Sequence, residues 1–317
     1  MKDSKPSILI LGASSFLSKS LVNKLLGLKK FQILCQSRKN LYGLYGKNES
    51  EIIYLRINYA NKSYPSEIFK SCTYIINLVN ASSLGNEQLM NFRKFLKHVI
   101  FISKANLIHL STASVYGRSM NKIITELSGC NPKNSYQKNK LKDENEIKKI
   151  AEYFDIKFYI LRPTEIVGDK SLNAKKFIKN YQSSSFLKKY FYKSLYNKRL
   201  SHFVSSNFLI QNIVKIIEGE ITEGIYIIAQ DNESLNNFSE ILKLLDSKLY
   251  PEIKSSKFSF YLPLWLFFSF FYMIFRSNQV SIKSRFISKN PIIDPNNYLN
   301  FKNDFSEHID YVLKTTK

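Results

Sequence analysis

Apolar residues follow two patterns along the 317-residue chain. Short runs of consecutive apolar residues are typical of parallel strands that are buried on both faces. Longer segments repeat apolar residues at the spacing of an amphipathic helix. The runs that we interpret as strands are Ser7–Leu11, Phe31–Cys35, Ile52–Leu55, Tyr74–Val79, Asn106–Leu110 and Lys157–Leu161. Because helical segments lie between most of these runs, the sequence predicts an α/β fold, a Rossmann-like doubly wound parallel sheet.

The turn after the first strand resembles a dinucleotide-binding loop. Gly12 follows the strand directly, and a helical repeat begins a few residues beyond it. A strand, a glycine turn and a helix together hold a pyrophosphate at the helix N-terminus. Ser15 and Ser18 replace the last two glycines of the fingerprint, and a serine hydroxyl can donate to phosphate. An ordinary strand–helix turn is the alternative, but later motifs favour cofactor binding. The residues expected to contact the cofactor in this loop are Gly12, Ser14, Ser15, Phe16 and Leu17.

The end of the second predicted strand bears on the choice of cofactor. A site for NAD usually has an acidic residue about 20 positions after the glycines, which binds the ribose 2′-hydroxyl. No acidic residue lies between Gly27 and Asn48, and Arg38 follows the strand instead. Arg38 is placed to pair with a 2′-phosphate, so the sequence favours NADP slightly over NAD. The alternative is that Arg38 and Lys39 are two surface cations.

The strand Asn106–Leu110 leads into a group of residues suited to proton transfer. Thr112 follows the strand, and Tyr136 and Lys140 stand four positions apart at the start of a predicted helix. Spacing of four residues puts two side chains on one helix face. An ammonium beside a phenol favours the phenolate. Together the three side chains could move a proton on an alcohol or carbonyl while hydride moves on the carbon.

A structural interpretation of the same residues is also available. Lys140 could pair with Glu144 one helical turn further on, and Tyr136 could be a core aromatic residue. For the isolated Tyr-x-x-x-Lys pattern this interpretation is the better one. The order of motifs changes the balance, because a glycine turn, a strand ending in Thr112 and then the Tyr–Lys pair follow one another along the chain.

Composition limits the classes of partner. The formal net charge is +22, but the lysines are spread along the whole chain, and no arginine-rich stripe or zinc-finger pattern indicates nucleic-acid binding. Cys35, Cys72 and Cys130 are scattered without metal-ligand spacing, so we expect free thiols in a reducing compartment and no metal. The N-terminus is polar and leads straight into a strand, which does not resemble a signal peptide. These features predict a cytoplasmic protein.

One segment has the composition of a membrane-contacting helix. The stretch 258–275 is almost wholly apolar and rich in aromatic residues, and Pro263 interrupts it. The remaining helical part is shorter than the roughly 20 residues that a span requires. A helix buried in the second domain or facing a second copy is the first interpretation, and peripheral membrane contact is the second.

The motifs taken together resemble the extended short-chain dehydrogenase/reductase family, in its NAD-dependent epimerase/dehydratase branch that acts on nucleotide sugars. The resemblance rests on four segments in order, which are Gly12–Ser18, Ser111–Gly117, Ser135–Lys140 and Leu161–Gly168. It implies that Thr112 binds the substrate hydroxyl, that Tyr136 is the acid/base, and that Lys140 holds the nicotinamide ribose and tunes Tyr136. It also implies cofactor contacts at Asn80, after the fourth strand, and at Pro163 near the nicotinamide.

The resemblance implies a domain organisation as well. Residues 1–170, joined by a returning segment 203–230, would form the dinucleotide-binding domain. Residues 171–202 and 231–317 would form a smaller C-terminal substrate domain. Relatives of this kind also lead us to expect a homodimer built on two helices beside the sheet.

Several reactions are compatible with these residues. The resemblance implies a nucleotide-sugar epimerase or 4-ketoreductase, and the preference for NADP favours the reductase. A 4,6-dehydratase is disfavoured, because Ala113 and Ser114 occupy the positions of its Asp-Glu pair. An oxidoreductase on a hydrophobic or lipid-linked alcohol or ketone is one alternative, motivated by 258–275. A non-catalytic dinucleotide-binding module is the other, motivated by Ser15 and Ser18.

Overall fold

The structure is a computed structural model. The residues that it describes are 5–41, 45, 51–60, 64–80, 84–117, 119, 121–168, 172–186, 188–189, 200–250, 284–288, 305–307 and 309–310.

The described strands form one large sheet and two small ones. The strands are β1 (Ser7–Leu11), β2 (Gln32–Ser37), β3 (Ile52–Arg56), β4 (Cys72–Asn77), β5 (Asn106–Leu110), β6 (Ile123–Ile124), β7 (Phe158–Pro163), β8 (Glu165–Val167), β9 (Phe203–Ser205), β10 (Gly224–Ile228) and β11 (Arg285–Phe286). The large sheet has seven strands in the order β10-β7-β5-β4-β1-β2-β3. Strand β1 pairs in parallel with both β2 and β4, so the chain order reverses between β1 and β4. The Rossmann-like doubly wound sheet predicted from the apolar runs is confirmed.

Helices connect these strands. They are α1 (Phe16–Gly27), α2 (Asn86–Ser103), α3 (Ser135–Phe154), α4 (Leu172–Gln182), α5 (Ser206–Ile217) and α6 (Phe238–Leu249). A short 3₁₀ helix, Ala113–Tyr116, follows β5. In open sheets of this type, ligands bind at the carboxyl ends of the strands, beside the point where the strand order reverses. The strand order therefore directs attention to the ends of β1, β4 and β5.

The core of the large sheet explains why its strands read as continuous apolar runs. All five residues of β1 are buried. Leu9 and Leu107 belong to a cluster that also contains Phe92 and Phe95 of α2 and Ile147 of α3. Helices α2 and α3 therefore cover one face of the sheet. This packing holds the start of α3 at the carboxyl ends of the strands.

The chain divides into two compact units. The first comprises residues 1–112, 135–162 and 210–226, and the second comprises residues 113–134, 163–209 and 227–317. The predicted returning segment 203–230 contributes β10 to the large sheet, whereas β9 pairs in parallel with β8 in a separate two-stranded sheet.

The second unit has its own core and a buried polar network. Phe203 packs near Phe305 in a cluster with residues of α4 and α6. His202 Nδ1 lies 2.7 Å from Asp231 Oδ2, which also accepts from the Phe286 N–H. These contacts attach the small β6–β11 sheet to the loop after β10.

The stretch 258–275 lies outside the described residues. Across the ranges that are described, none of the helices combines the length and apolar character needed to cross a membrane. Cys35, Cys72 and Cys130 are all described, and none of them forms a disulfide.

Candidate active site

The turn after β1 requires glycine. Gly12 has φ of +77°, in the left-handed region. A Cβ at this position would lie 3.1 Å from the backbone nitrogen of Val79 and 3.2 Å from the carbonyl carbon of Leu78. The end of β4 therefore approaches the turn so closely that any side chain would push the two strand ends apart. The glycine that begins the predicted fingerprint is the one that this geometry needs.

The two serines of the turn do different things. The Ser15 N–H donates to the Gly12 carbonyl at 2.9 Å, and Ser15 is the N-cap residue of α1. Its Oγ is buried without a hydrogen-bond partner among the described groups. The Ser18 hydroxyl, in contrast, points back to the carbonyls of Ala13 and Ser15, the latter at 2.7 Å. Ser18 therefore stabilises the turn, whereas Ser15 places a buried hydroxyl without a described partner at the N-terminus of α1.

Tyr45 supports the same turn and was not predicted from the sequence. Its hydroxyl donates to the Ala13 carbonyl at 2.8 Å and lies 3.4 Å from Ser18 Oγ. Burial raises the pKa of Tyr45, and it also raises the pKa of the neighbouring Cys35 thiol to about 12. Both groups are thus neutral, and Tyr45 acts as a hydrogen-bond donor. The only indication in the sequence is its place in the loop after β2.

The end of β2 carries an exposed cation. Arg38 Nη1 donates to Gln88 Oε1 of α2 at 2.6 Å. Ser37 Oγ accepts from the Lys39 N–H at 3.0 Å, which fixes the turn on which Arg38 stands. Gln36 turns into the protein, where Tyr59 donates to it at 3.0 Å. Arg38 is therefore an exposed cation just beyond the strand end, beside the exposed Lys39, and Gln88 orients it.

A neutral histidine lies between the ends of β4 and β5. Asn77 Oδ1 accepts from the Val79 N–H at 3.1 Å, so its Nδ2 faces His109 Nδ1 at 3.0 Å. The ring proton is therefore on His109 Nε2, which is buried without a described partner. Burial, and then the nearby Lys140 ammonium, hold the pKa of His109 well below its usual range. Asn80 is exposed just beyond this pair.

Lys140 bridges the same two strand ends. Its Nζ donates to the Leu110 carbonyl at 2.7 Å and lies 3.5 Å from the Val79 carbonyl. The side chain is 4% exposed. Burial lowers the pKa of Lys140 to about 8, although the carboxylates of Asp143 and Glu144 act in the opposite direction. Lys140 is therefore a cation that loses its proton in the mildly alkaline range.

The alternative pairing of Lys140 with Glu144 is not the contact that the structure favours. Glu144 is engaged by Arg162, whose Nη2 lies 2.6 Å from Glu144 Oε2. The Ser111 hydroxyl donates to the other carboxylate oxygen. The Lys140 ammonium instead faces backbone carbonyls at the strand ends.

Thr112 and Tyr136 stand close in the sequence to the two residues of this lysine contact. Thr112 is two residues beyond Leu110, whose carbonyl accepts from Lys140. Tyr136 precedes Lys140 by one turn of α3, on the same helix face, and is half-buried rather than a core residue. Pro163 is buried at the end of β7, the strand next to β5. Thr112 and Pro163 therefore stand at or just beyond the carboxyl ends of two neighbouring strands.

These residues fit a dinucleotide. The N–H groups in the first turn of a helix favour an anion, and Ser15 adds a buried hydroxyl without a described partner there. Gly12 has no side chain that would cover the backbone of the turn. Arg38 adds a cation at the end of β2. Ser14, Phe16 and Leu17 belong to the same turn and helix start.

The sequence is similar to a known family of proteins. The model of a family described as the NAD dependent epimerase/dehydratase family matches residues 8–199. No curated protein matches the sequence.

Several solved structures share the fold. UDP-glucuronic acid 4-epimerase from Bacillus cereus in complex with NAD has a TM-score of 0.68 and 16% identity, over 96% of each chain. UDP-glucose 4-epimerase from Thermotoga maritima has a TM-score of 0.64 and 12% identity, over 98% of this chain and 100% of that one. dTDP-glucose 4,6-dehydratase from Bacillus anthracis, in complex with NAD, has a TM-score of 0.60 and 15% identity, over 97% of this chain and 96% of that one. At such identities the likeness is one of fold.

Proposed function

The chain belongs to the NAD dependent epimerase/dehydratase family, and from this premise we propose that it acts on a nucleotide sugar as an epimerase or a 4-ketoreductase. The observation that carries the proposal is the position of Lys140, buried at the ends of β4 and β5 with Tyr136 one turn before it. The three solved structures named above are two 4-epimerases and a 4,6-dehydratase of nucleotide sugars, two of them with NAD. A nucleotide sugar is therefore the substrate class that we assign.

Each residue of the proposed site has a distinct task. Tyr136 accepts the proton of a sugar hydroxyl when that carbon is oxidised, and returns it when the carbonyl is reduced. Thr112 donates to the same oxygen and holds it within reach of Tyr136. The Lys140 ammonium favours the phenolate form of Tyr136 and binds the ribose of the cofactor. When bound, the nicotinamide supplies hydride chemistry at the carbon.

The remaining predicted contacts would hold the cofactor. Gly12 and Ser15 would bind the pyrophosphate together with the N-terminus of α1, which Ser14, Phe16 and Leu17 form. Asn80 and Pro163 would lie along the ribose and nicotinamide. We assign NADP over NAD on the strength of Arg38, because a guanidinium pairs well with a 2′-phosphate.

The catalytic assignment is tested by replacing Tyr136 with phenylalanine. Loss of the phenol should lower turnover by about 100-fold or more, while NADPH still binds. Turnover is measured with UDP-, GDP- and dTDP-linked sugars and their 4-keto forms, and binding by NADPH fluorescence. Tyr153→Phe is the matched control, since Tyr153 lies on the same helix and is 81% exposed. Equal turnover of Tyr136→Phe and the parent would remove Tyr136 from the mechanism.

The same assay separates the two reactions. A 4-ketoreductase consumes NADPH in proportion to product, whereas an epimerase returns the hydride to the sugar and leaves the cofactor unchanged. The dehydratase remains disfavoured, because Ala113 is buried and apolar and Ser114 is not acidic.

Cofactor preference is tested at Arg38. NADPH should bind more tightly than NADH, and Arg38→Ala should erase the difference. Lys24→Ala is the control, because Lys24 is an exposed cation in the last turn of α1, away from the helix N-terminus. Equal affinities of the parent for both dinucleotides would overturn the assignment of NADP.

Fewer observations support the two alternative functions. The lipid-linked substrate was inferred from 258–275, which lies outside the described residues. The non-catalytic module was inferred from Ser15 and Ser18, yet Ser18 stabilises the turn and the buried Ser15 hydroxyl has no described partner. A cytoplasmic location remains our expectation, on the basis of the three free thiols.

A further inference from the structure

A buried ion pair lies directly behind the proposed proton-transfer residues. Glu144 on α3 is fully buried, and Arg162 at the end of β7 is 3% exposed. Arg162 donates through Nε to Glu144 Oε1 at 3.1 Å and through Nη2 to Oε2 at 2.6 Å. The Ser111 hydroxyl, just after β5, donates to the same carboxylate. One carboxylate therefore joins α3 to the ends of two neighbouring strands.

Each member of this network adjoins a residue of the proposed site. Ser111 precedes Thr112 in the chain, and Arg162 precedes Pro163. Glu144 follows Lys140 by one helical turn, on the face that also carries Tyr136. A two-pronged contact tolerates little sliding, and a shift of α3 by one residue would move its side chains by about 1.5 Å. Displacement of reacting groups by about 1 Å can cost about 100-fold in rate.

The network also sets the charge around Lys140. Its own helix contributes the carboxylates of Asp143 and Glu144, and both oppose the lowering of the Lys140 pKa by burial. From α2, Arg93 Nε donates to Asp143 at 2.8 Å. From β5, His109 faces Lys140 as a neutral ring. Strand β7 contributes Arg162, which is bound to Glu144.

We infer that Glu144 is a positioning residue of the proposed site. Through Arg162 and Ser111 it fixes the register of α3 against β5 and β7, and its negative charge keeps Lys140 in the ammonium form near neutral pH. The inference rests on the proposed function for its catalytic meaning, but the charge state of Lys140 is a property of the folded protein and can be measured without a substrate.

The test follows the ionisation of Lys140 by NMR. The full-length protein is labelled with [6-¹³C]lysine, and the Lys140 resonance is assigned by its loss in Lys140→Arg. Replacing Glu144 with glutamine removes the charge while keeping the shape. The titration midpoint of Lys140 should then fall by more than about half a pH unit. Glu144→Asp, which keeps the charge, should titrate close to the parent.

Glu146→Gln provides the matched control. It makes the same chemical change two residues further along α3, where Glu146 pairs with the exposed Lys97 at 3.3 Å. We expect no shift of the Lys140 midpoint in this variant. An unchanged midpoint in Glu144→Gln would overturn the inference and leave the pair with a role in folding alone.

A second variant keeps the test decisive if Glu144→Gln does not fold. The double variant Glu144→Gln/Arg162→Met leaves no unpaired buried charge, and such replacements are often tolerated. The Lys140 midpoint should fall in it as well, because the Glu144 carboxylate raises the Lys140 pKa, whereas Arg162 is not among the groups that shift it. A midpoint equal to that of the parent would again overturn the inference.

Turnover supplies a separate readout. In Glu144→Gln, kcat should fall and its alkaline limb should move to lower pH, while KM for the sugar stays within about twofold of the parent. Glu144→Asp should restore the position of the limb. If the parent turns over none of the sugars, the proposed function fails, while the NMR titration still decides the role of Glu144.

Discussion

At the scale of single residues, the strictest steric demand falls on Gly12. Alanine at this position would take an unfavourable φ of +77° and place its Cβ 3.1 Å from the Val79 nitrogen. We expect Gly12→Ala to lower the free energy of unfolding by about 1–3 kcal/mol. It should also weaken NADPH binding by about tenfold or more, since the strand ends that frame the turn would separate. Urea denaturation and NADPH fluorescence measure the two effects.

Gly27→Ala is the control for this prediction. Gly27 ends the same helix, and nothing lies within 4 Å of the Cβ that would be added. Alanine there should be neutral or slightly stabilising, because it restricts the unfolded chain. Similar losses in both variants would mean that the turn has no special steric requirement.

Lys140 links pH to stability. Its pKa is about 8 in the folded protein, whereas the ordinary lysine value of 10.5 applies to the unfolded chain. Between pH 8 and 10.5 the unfolded chain therefore binds more protons than the folded protein. The free energy of unfolding should therefore rise with pH between about 8 and 10.5, relative to a Lys140→Met variant that lacks the titrating group. Denaturation of both proteins at pH 7 and pH 9.5 isolates the effect, since other groups cancel. Parallel pH dependences would contradict it.

The three residues that we propose for proton transfer can be selected from the sequence because each stands at a recognisable place in a local pattern. Tyr136 and Lys140 share a helix face by spacing alone, and Thr112 follows a strand whose limits the apolar run gives. The partners of Glu144 could not be found in the same way. Arg162 lies 18 positions further along the chain, and its contact with Glu144 depends on how α3 packs against β7. The sequence identifies Ser18 as a position of the fingerprint, but it does not show that the Ser18 hydroxyl donates to carbonyls of its own turn.

At the scale of elements, the Glu144–Arg162 pair joins α3 to β7 at a cost in desolvation. Removing one partner leaves a buried charge, so Glu144→Gln should lower the free energy of unfolding by about 3–5 kcal/mol. The double variant Glu144→Gln/Arg162→Met should lose much less, because no unpaired charge remains. The four-protein cycle is measured by urea denaturation at pH 7. Additive losses in the double variant would show that the two side chains stabilise the protein independently.

The elements themselves were largely readable from the apolar pattern. The predicted Ser7–Leu11 and Asn106–Leu110 coincide with β1 and β5. Where sheet pairing or a helix cap determines the end of an element, the predicted and observed ends differ. The predicted strand Phe31–Cys35 is observed as β2, Gln32–Ser37, because its pairing with β3 continues to Ser37. Helix α6 begins at Phe238, where Asn237 caps it by accepting from the Glu240 N–H at 2.9 Å. Capping depends on one residue's backbone conformation, which periodicity does not encode.

At the scale of the whole molecule, two opposing effects act on the expected homodimer. Exposed aromatic surface favours association, and the net charge of each copy disfavours it. Helices α2 and α3 are cross-linked by the ion pairs Arg93–Asp143 and Lys97–Glu146. Between these pairs and the helix C-termini, Phe101 and Tyr153 are 61% and 81% exposed. Two copies meeting through these helices would bury that aromatic surface, but each carries a net charge of +22. Their repulsion weakens association wherever salt does not screen it.

The balance between these two effects gives the last prediction. The protein should associate more strongly as salt rises from about 20 mM to about 500 mM, since the Debye length falls from above 10 Å to below 5 Å. The double variant Phe101→Lys/Tyr153→Lys should remain monomeric throughout, because it removes the aromatic surface and adds charge. Leu127→Lys is the control, as Leu127 is 77% exposed and lies on neither helix. Sedimentation equilibrium measures all three proteins, and a parent that is monomeric at every salt concentration would exclude the dimer. If only Phe101→Lys/Tyr153→Lys loses the salt-dependent association, the partner of α2 and α3 is a second copy of the same surface, which a two-fold interface requires.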